Sequence, residues 1–339
     1  MQTRRHMYVA LQDDDRIAIY TMDASGGLHH QEDVAVEGGP APLALSPDRQ
    51  VLHVGRRGAQ AVSSYRVDQR TGSLSLIGTA PLQGEPVYVA TDRTGRFVLS
   101  AYYYQSTAAV HRVGDDGAVT FPPVEWRYTS HGAHAILTDR SNSFAYVPHI
   151  ANRGPNAIFQ FRFDERSGQL TPNDPPRHDP AEYLGPRALA FHPTLDVVYF
   201  SDEQGSSVTA YSISPTGTLE PVQTIPTLPA DYTGANTCSQ IRVSASGRFL
   251  FAPNRGHNSV ASFRVDPSSG HLTFVDRAST DPVPRAFGLD PGDQYLFATG
   301  QQTGRLTAYR VEETGVLTPL ETYEVGNNPM WVLMTTLDG

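Results

Sequence analysis

The sequence predicts an all-β protein, a seven-bladed β-propeller with four antiparallel strands per blade and a ring closed by a blade built from both termini. Three observations predict it: a seven-fold internal repeat, a period-two apolar pattern inside each copy, and a register that wraps from the C-terminus onto the N-terminus.

In each copy a short strand runs into a tight turn: GGPAPLALSPD, GEPVYVATDRTG, HGAHAILTDRSN, GPRALAFHPTL, CSQIRVSASG, VPRAFGLDPGD and NPMWVLMTTLDG. The turn anchors are Ser46, Asp92, Asp139, His192, Ser244, Asp290 and Thr335, spaced 46, 47, 53, 52, 46 and 45 residues apart. A second strand and a longer hairpin follow, as in LFAPNRGHNSVASFRVDPSSGHLTFVD, where large apolar residues alternate with small or polar ones. TGS, SSG and ETG supply the turns between third and fourth strands, and long helical patterns are absent. A four-stranded unit of about 45–50 residues has the size of a propeller blade. The last copy holds only its first strand, NPMWVLMTT, while the N-terminal HMYVALQDDDRIAIYTMDASGGLHH matches strands two to four. One blade is therefore assembled from both ends, which leaves no open sheet edge. A single propeller domain, residues 1–339, is expected.

Composition sets the class. At 339 residues, with 39% hydrophobic and 18% charged, the chain can bury a large core. A formal charge of -9 argues against a general nucleic-acid or membrane-surface role, since either needs a basic face. Cys238 is the only cysteine, so no intrachain disulfide forms, and a small buried apolar role is expected for it. The segment MQTRRHMYVALQDDD lacks the apolar run of a signal peptide, and no stretch approaches the roughly 20 apolar residues of a membrane span. The cytoplasm is the expected compartment.

In an antiparallel blade, strand one lines the central channel, and its start lies at the same face as the end of strand two. Each blade thus presents two positions at one mouth of the channel, a usual place for a ligand. Five residues before each anchor stand Ala41, Val87, His134, Arg187, Ser239, Arg285 and Met330; the ends of strand two carry Gln12, Arg57, Tyr103, Ile150, Glu203, Arg255 and Gln301. Loop chemistry alone could explain the second, polar ring. The first is different, because its neighbours are apolar and charge in a crowded channel needs a partner or a ligand. A structural salt bridge would account for Arg187 with Glu203. The functional reading makes Arg187, Arg285 and Arg255 a site for an anion or oxyanion, with His134 and Glu203 as the titratable pair.

Other motifs carry less. HGAH (His131, His134) has a spacing that serves metal ligation on a helix but not at the start of a strand, so no metal is expected. Asp13–Asp15 reads as a solvated turn. No Gly-rich phosphate loop or nucleophile elbow occurs.

At these residues the chain resembles the seven-bladed propeller lactonases, a family that includes propeller-type 6-phosphogluconolactonases and carboxymuconate-lactonizing enzymes. GPRALAFHP, YFSDEQGSSVTAYS, RFLFAPNRGHNSV, DPVPRAFGLDPGDQYLFATGQ and VGNNPMWV carry the likeness, which spans essentially the whole chain. The resemblance implies catalytic roles for His134, Arg187, Glu203 and Arg285. It also matches the Asn254-Arg255 pair. Around these, Tyr103, Tyr88, Gln240, His131 and Gln301 are expected to contact substrate. The chain departs from the family pattern at Tyr88, where a histidine is frequent, at Gln240, where an acid is frequent, and in the enlarged third blade, VPHIANRGPNAI. All three changes sit near the mouth and bear on which lactone is taken.

The expected reaction is hydrolysis of a sugar-type lactone without a cofactor. Water attacks the ring carbonyl, Arg187 and Arg285 stabilise the oxyanion, and His134 serves as base, because Glu203 beside arginines is a weak one. The partner is a small lactone, anionic or polyhydroxylated, taken by a monomer or dimer. Two alternatives stay open: action on unphosphorylated aldonolactones or muconate-type acids, and a propeller that binds a sugar acid or partner protein without turnover.

Overall fold

The computed structural model describes residues 4–338, whose strands form seven antiparallel sheets. Blade one is Pro40–Leu45, Val51–Arg56, Ala61–Val67 and Leu74–Pro81. Blade four, which carries Arg187 and leads into Glu203, is Pro186–Phe191, Val197–Asp202, Ser207–Ile213 and Leu219–Pro226. The seventh blade joins the C-terminal strand Pro329–Leu337 to Arg4–Leu11, Arg16–Met22 and Leu28–Ala35. Its two termini pair antiparallel from Arg4 opposite Leu337 to Ala10 opposite Trp331. The only helix among the described residues is a single 3-10 turn at Gln12–Asp14. Among the described residues no helix is long and apolar enough to cross a membrane.

Six of the seven anchors recur because each closes the turn after strand one, whereas Thr335 lies inside the last strand opposite His6. Backbone N–H groups five residues on donate to the anchor side chains: Val51 to Ser46 at 2.9 Å, Phe97 to Asp92 at 2.9 Å, Phe144 to Asp139 at 2.9 Å, Phe249 to Ser244 at 3.0 Å and Tyr295 to Asp290 at 2.7 Å. Short oxygen-bearing side chains suit this task, which is why Ser and Asp dominate. His192 closes its turn more tightly: its Nδ1 accepts from Leu195 N, three residues on, at 3.0 Å.

Inner strands bury both faces, since each face meets a neighbouring blade. In the seventh blade Met7, Val9 and Leu11 join the core shared with blade six, while Tyr8 and Ala10 join the core shared with blade one. Seven such clusters occur, one for each pair of adjacent blades, so the apolar packing is continuous around the ring. Tyrosines latch the blades together. Tyr8 donates to Gly72 O at 2.8 Å, Tyr146 to Gly217 O at 2.9 Å and Tyr199 to Gly270 O at 2.7 Å, in each case to the hairpin of the next blade. Gly217 must be glycine twice over: its φ is +79°, and a Cβ would lie 2.1 Å from the Phe144 ring.

Candidate active site

What aims charged side chains into the channel is a break in strand one. In blade four Pro186 pairs with Asp202 and Ala188 with Ser201, so Arg187 is the extra residue of a β-bulge. Val87 takes the same place in blade two and Met330 in blade seven, and the bulge of blade one falls at Ala41-Pro42. Blades three and five also insert one residue. Ala133 opposes His149 and Leu137 opposes Tyr146; Cys238 opposes Asn254 and Arg242 opposes Phe251. His134 and Gln240 lie in those gaps, and Arg285 just precedes the ladder of blade six, which starts at Phe287. Bulges re-aim side chains, and in six blades the residue five before the anchor lines the cavity; in blade five Gln240 does so instead, while Ser239 is buried and donates to Pro284 O at 2.8 Å.

The result is a cavity with an empty volume of about 410 Å³. Arg57, His134, Arg187, Gln240 and Arg285 line it, with Tyr88 and Trp331 as apolar wall. The two aromatic rings meet edge to face, centroids 5.5 Å apart. Gln240 is held by Phe287 N, which donates to its Oε1 at 3.3 Å.

Glu203 stands behind Arg187 rather than on the cavity wall. Its Oε2 lies 2.8 Å from Arg187 Nε and 3.0 Å from Arg255 Nη2. The Arg187 contact is Coulombic more than a well-aligned hydrogen bond, because its Nε–H finds no acceptor along its own direction. Arg255 also donates to Cys238 O at 2.8 Å. The enlarged loop of blade three braces this assembly: Ala151 N donates to Gln204 Oε1 at 2.9 Å, and Gly185 N to Asn156 Oδ1 at 2.7 Å. Across the cavity Arg57 is in close ion contact with Glu85. Arg285 makes no ion pair or side-chain hydrogen bond with any described residue.

Electrostatics follow from this crowding. Burial, then Arg187, Arg285 and Arg255, hold the His134 pKa well below 6.5, so its imidazole is neutral at pH 7. No described side chain hydrogen-bonds its ring, which leaves it free for a ligand. Burial and neighbouring Arg255 and Arg57 bring Arg285 down to about 10, still charged at neutral pH. Arg187 is pushed down by burial and Arg255, against the pull of Glu203.

The other expected contacts divide. Tyr88 and Gln240 line the cavity. Tyr103 and His131 meet edge to face outside the cavity lining, centroids 4.8 Å apart, with Tyr103 also 6.0 Å from His134. Gln301 is turned to Asn328, donating at 2.8 Å, and stays outside the cavity lining. Asn254 corrects the sequence-based expectation. It is fully buried, accepts from Thr227 Oγ1 at 2.7 Å and donates to Thr227 O and Ser259 Oγ, so its amide is spent inside blade five. Sequence reading missed Glu85 and left Arg57 without a role; the acid just before the strand-one proline in GEPV was the available signal. Among the described residues no three His, Cys, Asp or Glu gather as a metal site would require.

A family model described as lactonase, 7-bladed beta-propeller, matches residues 6–334. The chain belongs to this lactonase family. It is 33% identical over 331 residues to the 6-phosphogluconolactonase of Yersinia pestis (strain Pestoides F), covering 97% of both chains. Against the 6-phosphogluconolactonase of Serratia proteamaculans (strain 568) it is 32% identical over 330 residues, covering 96% of this chain and 97% of the relative. The periplasmic gluconolactonase of Pseudomonas aeruginosa superposes with a TM-score of 0.90 at 25% identity over 99% of both chains. The protein is accordingly a lactone-hydrolysing enzyme, and the mouth cavity is its candidate active site.

Proposed function

We propose that this lactonase hydrolyses a phosphorylated sugar lactone of the 6-phosphogluconolactone type in the channel mouth. The observation that carries the reading is the charge balance: four guanidinium groups, Arg57, Arg187, Arg255 and Arg285, against two carboxylates, Glu85 and Glu203, around a neutral His134. A surplus of two positive charges in a low-dielectric cavity suits a dianionic phosphate better than a neutral lactone. The names of the Yersinia and Serratia relatives support the same substrate.

In this mechanism His134 takes a proton from water as the water oxygen adds to the ring carbonyl carbon. Arg187 and Arg285 meet the oxyanion that forms. The bond to the ring oxygen then breaks, and the His134 imidazolium, made acidic by the surrounding arginines, returns its proton to that oxygen. Glu203, pinned between two guanidinium groups, orients Arg187 rather than moving protons. The product is a hydroxy acid that releases one proton at neutral pH.

That proton is the readout. A pH-stat assay compares 6-phosphogluconolactone, unphosphorylated aldonolactones and muconolactones, with Arg285→Ala as control. Preferred turnover of the phosphorylated lactone, lost in the variant, is expected. Turnover of glucono-lactone alone would favour the activity for which the Pseudomonas relative is named and would defeat the phosphate reading.

A further inference from the structure

The channel continues beyond Tyr88 and Trp331. These two residues also line a second, larger cavity toward the opposite face, with an empty volume of about 850 Å³. Its walls come from the later half of strand one in six of the seven blades, blade four contributing none; Leu43, Leu137, Leu289, Leu333 and Met334 supply apolar side chains between polar stretches that include Thr91 and Arg242. Ala44, Ala90 and Gly288 stand among them and keep the space open.

One charged residue lines this cavity. Arg242 rejoins the ladder opposite Phe251 after the break in blade five and sets its guanidinium 5.9 Å from the centroid of Trp331. No Asp or Glu shares the lining, and Arg242 makes no ion pair with any described residue. The mouth cavity treats its cations differently, with Glu203 and Glu85 in ion contact with three of the four arginines. A half-buried guanidinium with no carboxylate partner, reaching only the Tyr88 hydroxyl and the Trp331 ring beside leucine side chains, matches one ligand chemistry, a single carboxylate on an apolar body.

We propose that the far half of the channel is a second ligand site, for a small amphipathic monocarboxylate. Arg242 takes the carboxylate, and the leucines and Met334 cover the body. This site rests on the cavity and its charge, not on the identity of the lactone. Because Trp331 and Tyr88 are shared walls, an occupant on the far side touches the back of the lactone site, and any coupling between the two is reciprocal.

The test uses octanoate as probe, with octanol for the body without the charge and acetate for the charge without the body. Calorimetry on the full chain is paired with Trp331 fluorescence in a Trp126→Phe background, since the sequence holds 2 tryptophans. Octanoate is expected to bind once per chain and to change Trp331 emission, with octanol and acetate each at least about tenfold weaker. Arg242→Met should weaken octanoate about tenfold or more, and Leu137→Trp, which keeps the charge but fills the space, should weaken it as well. Arg285→Ala should leave octanoate binding unchanged. The proposal falls if octanoate does not bind, if acetate binds equally well, or if Arg285→Ala removes binding while Arg242→Met keeps it. Lactone turnover enters none of these readouts, so failure here and failure of the lactonase reading remain separate.

Discussion

The same seven inner strands line both halves of the channel, yet the halves differ in kind. At the mouth, positions released from the ladder by a bulge or a strand break carry His134, Arg187 and Arg285. Past the bulge the ladder is regular, and its channel-facing residues are chiefly Leu, Val, Ala and Gly. Charge is admitted where pairing is broken, because a side chain freed from the pleat can reach a partner or a ligand. Arg242 fits the rule, since it directly follows the three-residue break in blade five.

The largest effect should come from removing the bulge charge itself. In the proposed mechanism Arg187→Ala takes away an oxyanion partner and leaves Glu203 with Arg255 alone, and kcat/KM is expected to fall by about 10²–10³. Arg187→Lys should recover little, because a point charge cannot hold Glu203 through Nε while offering a planar fork to substrate. Near-normal turnover by either variant would break the contrast between the two halves.

His134 sharpens it through pH. A base whose pKa is held below 6.5 stays unprotonated through neutrality, so the acid limb of kcat/KM, which reports free enzyme, should lie below the ordinary histidine range. An anionic substrate beside the ring favours the imidazolium and should move the limb of kcat upward. In His134→Gln both limbs should vanish along with most activity; an unchanged profile in that variant would remove His134 from the mechanism.

The fold was legible because its signals are local and repeated. Anchor side chains such as Asp92 and Asp290 each close their own turn, and both faces of MYVAL are apolar because both are buried. The ring of residues five before each anchor was legible for the same reason. Bulges were not, because an extra residue in strand one leaves no mark in composition. Nor was the fate of Asn254: its position at the end of strand two suggested the mouth, but bonds to Thr227 and Ser259, one of them far along the chain, turn it inward. Glu85 was hidden because its role depends on Arg57 from the neighbouring blade.

Strand two of blade four repeats the contrast within six residues. At its mouth end, Asp202 precedes Glu203 and is fully buried; Ser207 and Thr209 donate to its Oδ2 at 2.7 Å each, while its Oδ1 has no partner. Burial pushes its pKa up to about 7, above the ordinary 3.8. Between those values the unfolded chain loses the proton while the folded one keeps it, so this residue's contribution to stability falls as pH rises from about 4 to 7 and then levels off. Asp202→Asn keeps both hydroxyl bonds and cannot ionise. Its advantage over wild type should be about 3 kcal/mol larger at pH 8 than at pH 4.5, measured by denaturant unfolding. An equal difference at both pH values would show that the carboxylate is not held protonated.

At the other end of that strand, Tyr199 serves the ring rather than the site. Its hydroxyl donates to Gly270 O at 2.7 Å, and its ring is fully buried between blades four and five. Tyr199→Phe removes only the oxygen, so the packing stays and the carbonyl of Gly270 loses one donor. Loss of a buried neutral hydrogen bond of this kind costs about 1 kcal/mol, with the larger part of any excess coming from the carbonyl left dry. That cost should appear as a lower unfolding midpoint with unchanged denaturant slope, and kcat/KM should stay within about twofold of wild type because Tyr199 touches nothing in either cavity. A stability loss above about 3 kcal/mol would mean that the latches act cooperatively around the ring, and a loss of turnover without loss of stability would mean that the blade four–five contact tunes Glu203 after all.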